Sequence, residues 1–359
     1  MRKPATERGW APVQSVGPAA AACIAVVALA GGCGAGGSKR DDTPASEPAP
    51  RASVTSAPLP TSAAGAPTST GSGAVRPVDH EIRFEHGGLD RSVVVHLPTR
   101  YDGGARFPVV IALHGGFGSP AQFERSSGFS DIADARGFIV AYGQGTAWGR
   151  LAAPVWNAGG CCGQAVDAVR DVDDVGYIRE VIAHLTAAYR IDSARVYVAG
   201  MSNGAMMANR VACDAADLVA GVAAVSGTVQ DPSCDPTCPV PVLMMHGTAD
   251  DNVPYDGGVG TVALNQADFV PVEQAIAVWA GRNGCEGPAI TETDYAGHDD
   301  GITVDRLTFA ACEAATVLYR LNGGVHEWPG GSSIDNPLER RTPTTSIDAG
   351  ETIADFFGL

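Results

Sequence analysis

The sequence predicts an α/β fold built on a mostly parallel sheet with helices on both faces. Short, continuously apolar runs such as 107–113 and 137–143 are typical of strands that are buried on both faces. Segments whose apolar residues have helical spacing alternate with these runs. This alternation of strands and helices favours a parallel sheet that is covered on both sides.

The predicted elements follow one another in a regular order. Residues 80–98 alternate apolar and polar side chains around Gly87–Gly88, which predicts an antiparallel hairpin at one edge of the sheet. The remaining strands are predicted at 107–116, 137–143, 194–200, 219–227, 239–247 and 315–324. Helices are predicted at 172–189, 203–213, 272–281 and 347–357.

The N-terminal region has the pattern of an export signal. Within residues 1–32, basic side chains precede an apolar run of small residues that is too short for a comfortable membrane span. The run ends in AGGC, which resembles a bacterial lipobox and would make Cys33 the lipidated first residue. Plain secretion is the alternative. Residues 33–77 are dominated by Pro, Ser, Thr, Gly and Ala, which predicts a disordered tether leading to a folded domain at 78–359.

The chain is acidic, with a net charge of -16. This charge argues against nucleic acid as a partner, because phosphate binding needs a basic surface. It also argues against a polybasic hold on anionic lipid, so membrane contact is expected only through the N-terminal lipid anchor. We expect a monomer.

The cysteines are disulfide candidates, because the chain is predicted to be exported. Nine are present, and seven remain when the two in the export region are set aside, so one should be left over. No metal is expected, since neither a C-x2-C pair nor a histidine partner indicates a zinc site. Cys285 and Cys312 flank one segment and are expected to pair, and the second expected pair is Cys162 with Cys213.

A serine stands between two glycines at the join of a predicted strand and helix. The stretch from Gly200 through Ser202 to Gly204 fits the G-x-S-x-G pattern. The glycines allow a turn that is too tight for side chains, and a strained backbone lifts the serine hydroxyl clear. An ordinary strand–helix turn is the alternative, but the flanking strand and helix favour a nucleophile.

A nucleophilic serine needs a base, and the base needs an orienting carboxylate. Asp250 and His326 follow predicted strands, as Ser202 does, and the carboxyl ends of parallel strands share one edge of a sheet. His298 is the competing base. Asp251 is the competing acid, although it fits a turn-capping role better. The order Ser…Asp…His is that of the α/β-hydrolase fold.

The oxyanion formed in acyl transfer needs N–H donors. In this fold one donor is the residue after the nucleophile, Asn203, and another comes from the loop after the third strand. Gly116 in that loop is the predicted second donor, with a purely structural glycine turn as the alternative. His114 and His246 directly end strands and are expected to be structural hydrogen-bonding residues.

Several motifs, taken in order, resemble the polyhydroxybutyrate depolymerase and feruloyl esterase family of secreted α/β-hydrolases. They are LHGGFGSPAQF, WNAGGCCG, DVDDVGYI, VYVAGMSNGAMM, HGTADDNVPY, WAGRNGC and LNGGVHEWPGG, and the match runs from about residue 78 to the end. The resemblance implies an extracellular carboxylic-ester hydrolase without a cofactor, in which Ser202 is the nucleophile, Asp250 the acid and His326 the base. It also implies that the WNAGGCCG loop lies near the site mouth and is cross-linked there.

Three aromatic residues are candidate substrate contacts. Trp156 and Trp328 would form an apolar wall, with Phe117 beside the predicted oxyanion loop, although two packed aromatics that hold loops are an equal alternative. The family often has Thr where this chain has Glu327. We hypothesise that a negative charge there raises the imidazole pKa of His326 or disfavours acidic substrates.

The predicted function is hydrolysis of short-chain polyhydroxyalkanoate-type, feruloyl or acetyl esters through an acyl-enzyme. A serine peptidase with the same triad is one alternative, disfavoured because no stretch provides a propeller or cap domain. A non-catalytic surface module is the other, disfavoured because binding alone would not require a triad. No separate polymer-binding domain is visible, which favours soluble esters over crystalline polymer.

Overall fold

The computed structural model describes residues 80–148, 153–160, 162, 168–261, 267–294, 300–332 and 342–359. The predicted signal peptide, the tether with Cys33, and His298 lie outside the described residues, as does Cys161. Within the described part, no helix has the length and apolar character needed to cross a membrane.

The elements of the described chain are numbered in chain order. The strands are β1 (His80–His86), β2 (Leu89–His96), β3 (Phe107–Leu113), β4 (Ile139–Gly143), β5 (Thr146–Trp148), β6 (Ala153–Val155), β7 (Ile191–Met201), β8 (Gly221–Val225), β9 (Val242–Gly247), β10 (Gly258–Val259), β11 (Asp268–Phe269), β12 (Ile290–Asp294), β13 (Thr303–Thr308) and β14 (Thr316–Asn322). The helices are α1 (Pro120–Ser127), α2 (Phe129–Arg136), α3 (Asp174–Ala188), α4 (Asn203–Asp214), α5 (Val272–Arg282) and α6 (Ala349–Phe356).

A mixed ten-stranded sheet has the order β1-β2-β4-β3-β7-β8-β9-β14-β13-β12. The strands from β4 to β14 in that order pair in parallel, which confirms the predicted mostly parallel sheet. The predicted N-terminal hairpin is confirmed as β1–β2 at one edge. The segments that leave β3, β7, β9 and β14 therefore start from the same edge of the sheet, where a site can be built.

The core lies on both faces of the sheet, because most residues of the central strands are apolar. All residues of β3, β4, β8 and β9 are buried. Ile111 and Leu113 face the cluster covered by α3, α4 and α5, while Val110 and Ala112 face the cluster covered by α1, α2 and α6. This alternation is the period of two of a β-strand, with both sides buried.

Besides the two-stranded pairs β5–β6 and β10–β11, two larger parts of the architecture are not predicted by the sequence pattern. The helices α1 and α2 occupy 120–136, where Ser119 caps α1 by accepting the N–H of Gln122 at 3.3 Å and Gly128, in the left-handed conformation, separates the two. The strands β12 and β13 continue the sheet antiparallel beyond β14. Apart from Ile290, β12 is polar, so it has none of the continuous apolar character that indicates a buried strand.

The disulfides agree with one predicted pair and correct the other. Cys285 and Cys312 are bonded, as predicted. The Cys162–Cys213 pair is wrong, because Cys213 at the end of α4 bonds to Cys234, whose Cα lies 5.7 Å away in the loop after β8. Cys162 and Cys238 also take part in disulfides. Such bonds persist in oxidising compartments, in line with an extracellular protein.

Candidate active site

The turn between β7 and α4 carries Ser202 in a strained conformation. Its φ of 54° and ψ of -119° lie where a residue with a Cβ rarely settles, at a cost of about 1–3 kcal/mol. The side chain does not cap α4. The backbone N–H donates to the carbonyl oxygen of Val225 at 2.8 Å, which fixes the turn against the end of β8.

The glycines of the serine motif are required by close backbone approach. A Cβ on Gly200 would lie 2.3 Å from the carbonyl oxygen of Gly204. A Cβ on Gly204 would lie 2.2 Å from the carbonyl oxygen of Leu113, at the end of β3. The predicted steric need for glycine at both positions is therefore confirmed.

Asp250 and His326 meet across two loops. Nδ1 of His326 lies 2.8 Å from Oδ2 of Asp250, and the exposed fractions of the two side chains are 6% and 0%. The other carboxylate oxygen, Oδ1, accepts the N–H groups of Asn252 and Val253 at 2.9 and 2.8 Å. The residue brought to His326 is thus Asp250, while the neighbouring Asp251 accepts a backbone hydrogen bond at its carbonyl oxygen.

The two loops are held together by their backbones. A Cβ on Gly247 would lie 2.3 Å from the carbonyl oxygen of Gly324, so the chains touch at these glycines. The N–H of Thr248 donates to Leu321 at 2.9 Å, and that of Ala249 to Gly324 at 2.8 Å. The acid and the histidine are therefore positioned by backbone contacts between the ends of the parallel strands β9 and β14.

The end of β8 links the serine turn to the histidine loop. Val225 accepts the N–H of Ser202 at 2.8 Å. The next residue, Ser226, donates its hydroxyl to the carbonyl oxygen of Glu327 at 3.0 Å. Adjacent residues therefore fix both the serine and the residue that follows His326.

The Asp250 carboxylate stays ionised although it is buried. Burial raises its pKa, but the charge of His326 and the hydrogen bonds from His246 and His326 outweigh burial and hold the pKa well below its usual range. An ionised Asp250 keeps the proton of His326 on Nδ1. Nε2, the other nitrogen of the His326 ring, can then act as the proton acceptor.

His114 has the structural role that its position predicts. Its Nε2 accepts the N–H of Gly145 at 3.0 Å, so the proton is on Nδ1, which donates to the carbonyl oxygen of Gly115 at 2.7 Å. Burial lowers its pKa to about 4, although the bond to Gly115 acts in the opposite direction. A neutral His114 thus stabilises the start of the loop after β3.

This loop lies against the serine turn. A Cβ on Gly115 would be 3.4 Å from Cβ of Ser202, and a Cβ on Gly116 would be 3.8 Å from Cβ of Asn203. The fold therefore brings Gly116 close to Asn203, the residue that follows Ser202. Among the described residues, no group of His, Cys, Asp and Glu could hold a metal ion.

Comparison with known proteins identifies the family. Residues 92–263 match the family model described as Esterase PHB depolymerase. The chain is 33% identical over 261 residues to "Putative esterase NocK" of Nocardia uniformis subsp. tsuyamanensis, a match that covers 69% of this chain and 73% of that protein. The chain belongs to the esterase PHB depolymerase family. Membership confirms the predicted class of enzyme, a hydrolase of carboxylic esters.

Other members and a solved structure extend the comparison. Feruloyl esterase B of Piromyces equi is 34% identical over 203 residues, covering 55% of this chain and 36% of that protein. Poly(3-hydroxyalkanoate) depolymerase C of Paucimonas lemoignei is 31% identical over 134 residues, covering 37% and 30%. The chain thus spans about a third of each relative. The acetyl xylan esterase from Aspergillus awamori has a TM-score of 0.53 at 15% identity, covering 78% of this chain and 99% of that one, which confirms the α/β-hydrolase fold.

In this family member neither predicted tryptophan forms a surface for substrate. Trp156 and Trp328 are 0% and 1% exposed. The Trp156 backbone exchanges two hydrogen bonds with the Asn203 side chain, at 2.7 and 3.1 Å, and its indole N–H donates to the carbonyl oxygen of His114 at 2.9 Å. Trp328 packs edge-on against Phe123. The apolar-wall prediction is therefore wrong, and the alternative of packed aromatics that hold loops is confirmed: Trp156 ties the loop after β3 to α4.

Phe117 differs from the two tryptophans in its exposure. Its side chain is 43% exposed, and its φ is 65°, which is unfavourable for a bulky residue. The N–H of Phe117 donates to the carbonyl oxygen of Pro154 at 2.7 Å, which holds the loop in this conformation. An aromatic ring is thereby presented to solvent one residue after Gly116.

Glu327 is buried beside His326. Its carboxylate accepts the N–H of Thr344 at 3.1 Å. Burial raises its pKa to about 7; the bond from Thr344 opposes this, whereas the charges of Asp300 and Asp250 reinforce it. The negative charge predicted beside the histidine is therefore only partly present at neutral pH.

A glutamine at position 327 tests this burial. Because the folded state binds the proton of Glu327 more tightly than the unfolded state, where the pKa is about 4.3, wild-type stability falls as pH rises from about 4.3 to about 7. We expect Glu327→Gln, which cannot titrate, to be more stable than wild type at pH 8 and nearly equal at pH 4. Thermal unfolding at both pH values measures this, and an equal difference at both would contradict it.

Proposed function

We propose that the enzyme cleaves its ester through an acyl-enzyme, with Ser202 as nucleophile, His326 as base and then acid, and Asp250 as the orienting group. The observation that carries this is the 2.8 Å contact between Nδ1 of His326 and the buried Asp250 carboxylate. The end of β8 links the histidine loop to the turn of the strained serine, through Val225 and Ser226. Strain is maintained at functional sites when the surrounding structure fixes it.

The proposed reaction uses each group in turn. His326 takes the proton of Ser202 while the serine oxygen attacks the ester carbonyl. The N–H groups of Asn203 and Gly116 stabilise the oxyanion. His326 returns the proton to the leaving alcohol, and water then releases the acid by the same two steps.

For the substrate we propose small, soluble esters of short aliphatic hydroxy acids, acetic acid or ferulic acid. Relatives named as feruloyl esterase, acetylxylan esterase and poly(3-hydroxyalkanoate) depolymerase support these three ester classes. We also propose that the protein is a monomer, exported and held at the cell surface through a lipidated Cys33 and the tether at 33–77. The AGGC motif and the composition of the tether support this location.

Labelling together with an activity assay tests the proposed function. The exported protein should hydrolyse p-nitrophenyl acetate and butyrate and methyl ferulate. An alkyl fluorophosphonate, which loses fluoride when the serine oxygen attacks phosphorus, should inactivate it at one site, which peptide mapping assigns to Ser202. Faster cleavage of a peptide p-nitroanilide would favour the peptidase alternative. Label on another residue, or no turnover by folded protein, would overturn the proposal.

We propose that Phe117 contacts the acyl group of the substrate, because its exposed ring follows the oxyanion loop. Asparagine tolerates positive φ better than phenylalanine but offers no apolar surface. We expect Phe117→Asn to lower kcat/KM about tenfold on methyl ferulate and less on p-nitrophenyl acetate, without loss of stability. Leu89→Asn, at an exposed apolar position on the edge hairpin, is the control. Equal losses on both esters would instead indicate a disturbed oxyanion loop.

A further inference from the structure

A second histidine reaches the carboxylate of Asp250. Nε2 of His246 lies 3.2 Å from Oδ2 of Asp250, the same oxygen that lies 2.8 Å from Nδ1 of His326. The His246 side chain is fully buried, and it belongs to β9, four residues before the acid. The carboxylate oxygen is therefore held from both sides, by β9 and by the loop after β14.

The hydrogen bonds of His246 fix the position of its proton. Nε2 lies 2.8 Å from the carbonyl oxygen of Val253, which can only accept a hydrogen bond. Nε2 must therefore carry the proton, and it shares that proton between Val253 and Asp250. Nδ1 of His246 has no hydrogen-bond partner within the part of the chain that the structure describes, so Nε2 makes the hydrogen bonds of this ring.

We propose that His246 is a positioning residue, which sets the rotation and the basicity of the Asp250 carboxylate through its Nε2–H. The proposal rests on the catalytic roles given above to Asp250 and His326. Oδ1 is bound by two backbone N–H groups, and His246 supplies a donor that holds Oδ2 towards His326. A merely structural histidine would need the bond to Val253 but not the contact with Asp250.

Loss of this donor has a predictable direction. A carboxylate that gives up one hydrogen bond concentrates more negative charge on its bond to His326, which stabilises the protonated imidazole. Since the base must be neutral to act, the acid limb of the kcat/KM profile moves to higher pH. Among the described residues, the titratable groups near this pair include Tyr255, whose ring packs edge-on against His246 with its hydroxyl on Glu273, and Glu327. Arg320 acts on Tyr255 and Asp300 on Glu327. They are unchanged in the variants below.

Three variants of His246 separate positioning from packing. In His246→Leu the donor is absent, and in His246→Asn the side chain is too short to place its amide where Nε2 stands. In His246→Gln the amide N–H can reach that place. We expect the first two to lower kcat by about tenfold to a hundredfold, with KM little changed and the acid limb at higher pH. His246→Gln should recover most of kcat and the wild-type limb.

The experiment compares these variants in the exported full-length protein, with thermal unfolding measured in parallel. His96→Leu is the matched control, because Nε2 of His96 lies 3.3 Å from Asp134 in a contact carried by β2, outside the proposed machinery. It should leave the pH profile unchanged. If His246→Leu does not fold, His246→Asn and His246→Gln still give the comparison.

The outcomes distinguish the two proposals. If Ser202 is labelled and wild type is active, but a folded His246→Asn retains the wild-type kcat and acid limb, the positioning role alone is overturned. If His246→Asn lowers the melting temperature but leaves the acid limb of the kcat/KM profile unchanged, the positioning role is also overturned, because His246 then contributes only to packing. If wild type is inactive and Ser202 is unlabelled, the proposed function fails and the positioning role fails with it.

Discussion

Replacing Ser202 with glycine is expected to give a protein that is more stable than wild type and has lost its turnover. The φ of 54° and ψ of -119° at Ser202 cost about 1–3 kcal/mol for a residue with a Cβ, and glycine avoids that cost. Glycine also loses more freedom on folding, by roughly 0.5–1 kcal/mol, so the net gain is about 1 kcal/mol. Loss of the nucleophile should reduce kcat by about 10⁴-fold or more.

Two variants make this expectation specific. Ser202→Ala removes the hydroxyl but keeps a Cβ, so it should lose the same activity without the gain in stability. Ala311→Gly relieves another non-glycine residue with positive φ, 52°, in the loop between β13 and β14, and it should gain stability while keeping activity. Denaturant unfolding and ester assays measure both properties. A kcat of Ser202→Ala within about a hundredfold of wild type, or equal stabilities of the alanine and glycine variants at 202, would contradict this expectation.

The parts of the site that sequence predicts are local in the chain. The strand–serine–helix turn is contained in five residues, and its two glycines indicate a tight turn even before their neighbours are known. In the structure, a Cβ on Gly200 would clash with Gly204, and a Cβ on Gly204 would clash with Leu113. Asp250 and His326 are also predicted because each follows an apolar strand, and strand order then brings the two together.

The parts that sequence does not predict depend on contacts between distant segments. The residues near Trp156 in the chain do not indicate that its backbone is hydrogen-bonded to the side chain of Asn203. Because of this contact, Trp156 is a buried structural residue and does not contact substrate. Cys213 bonds to Cys234 because of where α4 ends relative to the loop after β8, a relation that spacing alone leaves open. The hydrogen bonds of a residue thus depend on its neighbours in space.

Replacing Asp250 with asparagine is expected to be nearly as damaging as removing the serine. Oδ1 accepts two backbone N–H groups and Oδ2 faces two ring nitrogens, so this site requires two accepting oxygens. An asparagine offers one oxygen, and its NH2 group must then face donors on one side. If the amide turns towards His326, the ring is driven to the tautomer with its proton on Nε2, which cannot take the proton of Ser202. We expect kcat to fall by about 10⁴-fold.

The stability of this variant has its own pH dependence. The pKa of Asp250 is held below its usual range in the folded protein, so the ionised acid stabilises the fold above the unfolded pKa of about 3.9, and that contribution is lost as pH falls further. Asp250→Asn should therefore be clearly less stable than wild type at pH 7, with a smaller difference at pH 3. Asp251→Asn is the matched control and should retain activity. An equal loss of activity in the two variants would mean that the 2.8 Å contact with His326 does not select the catalytic acid.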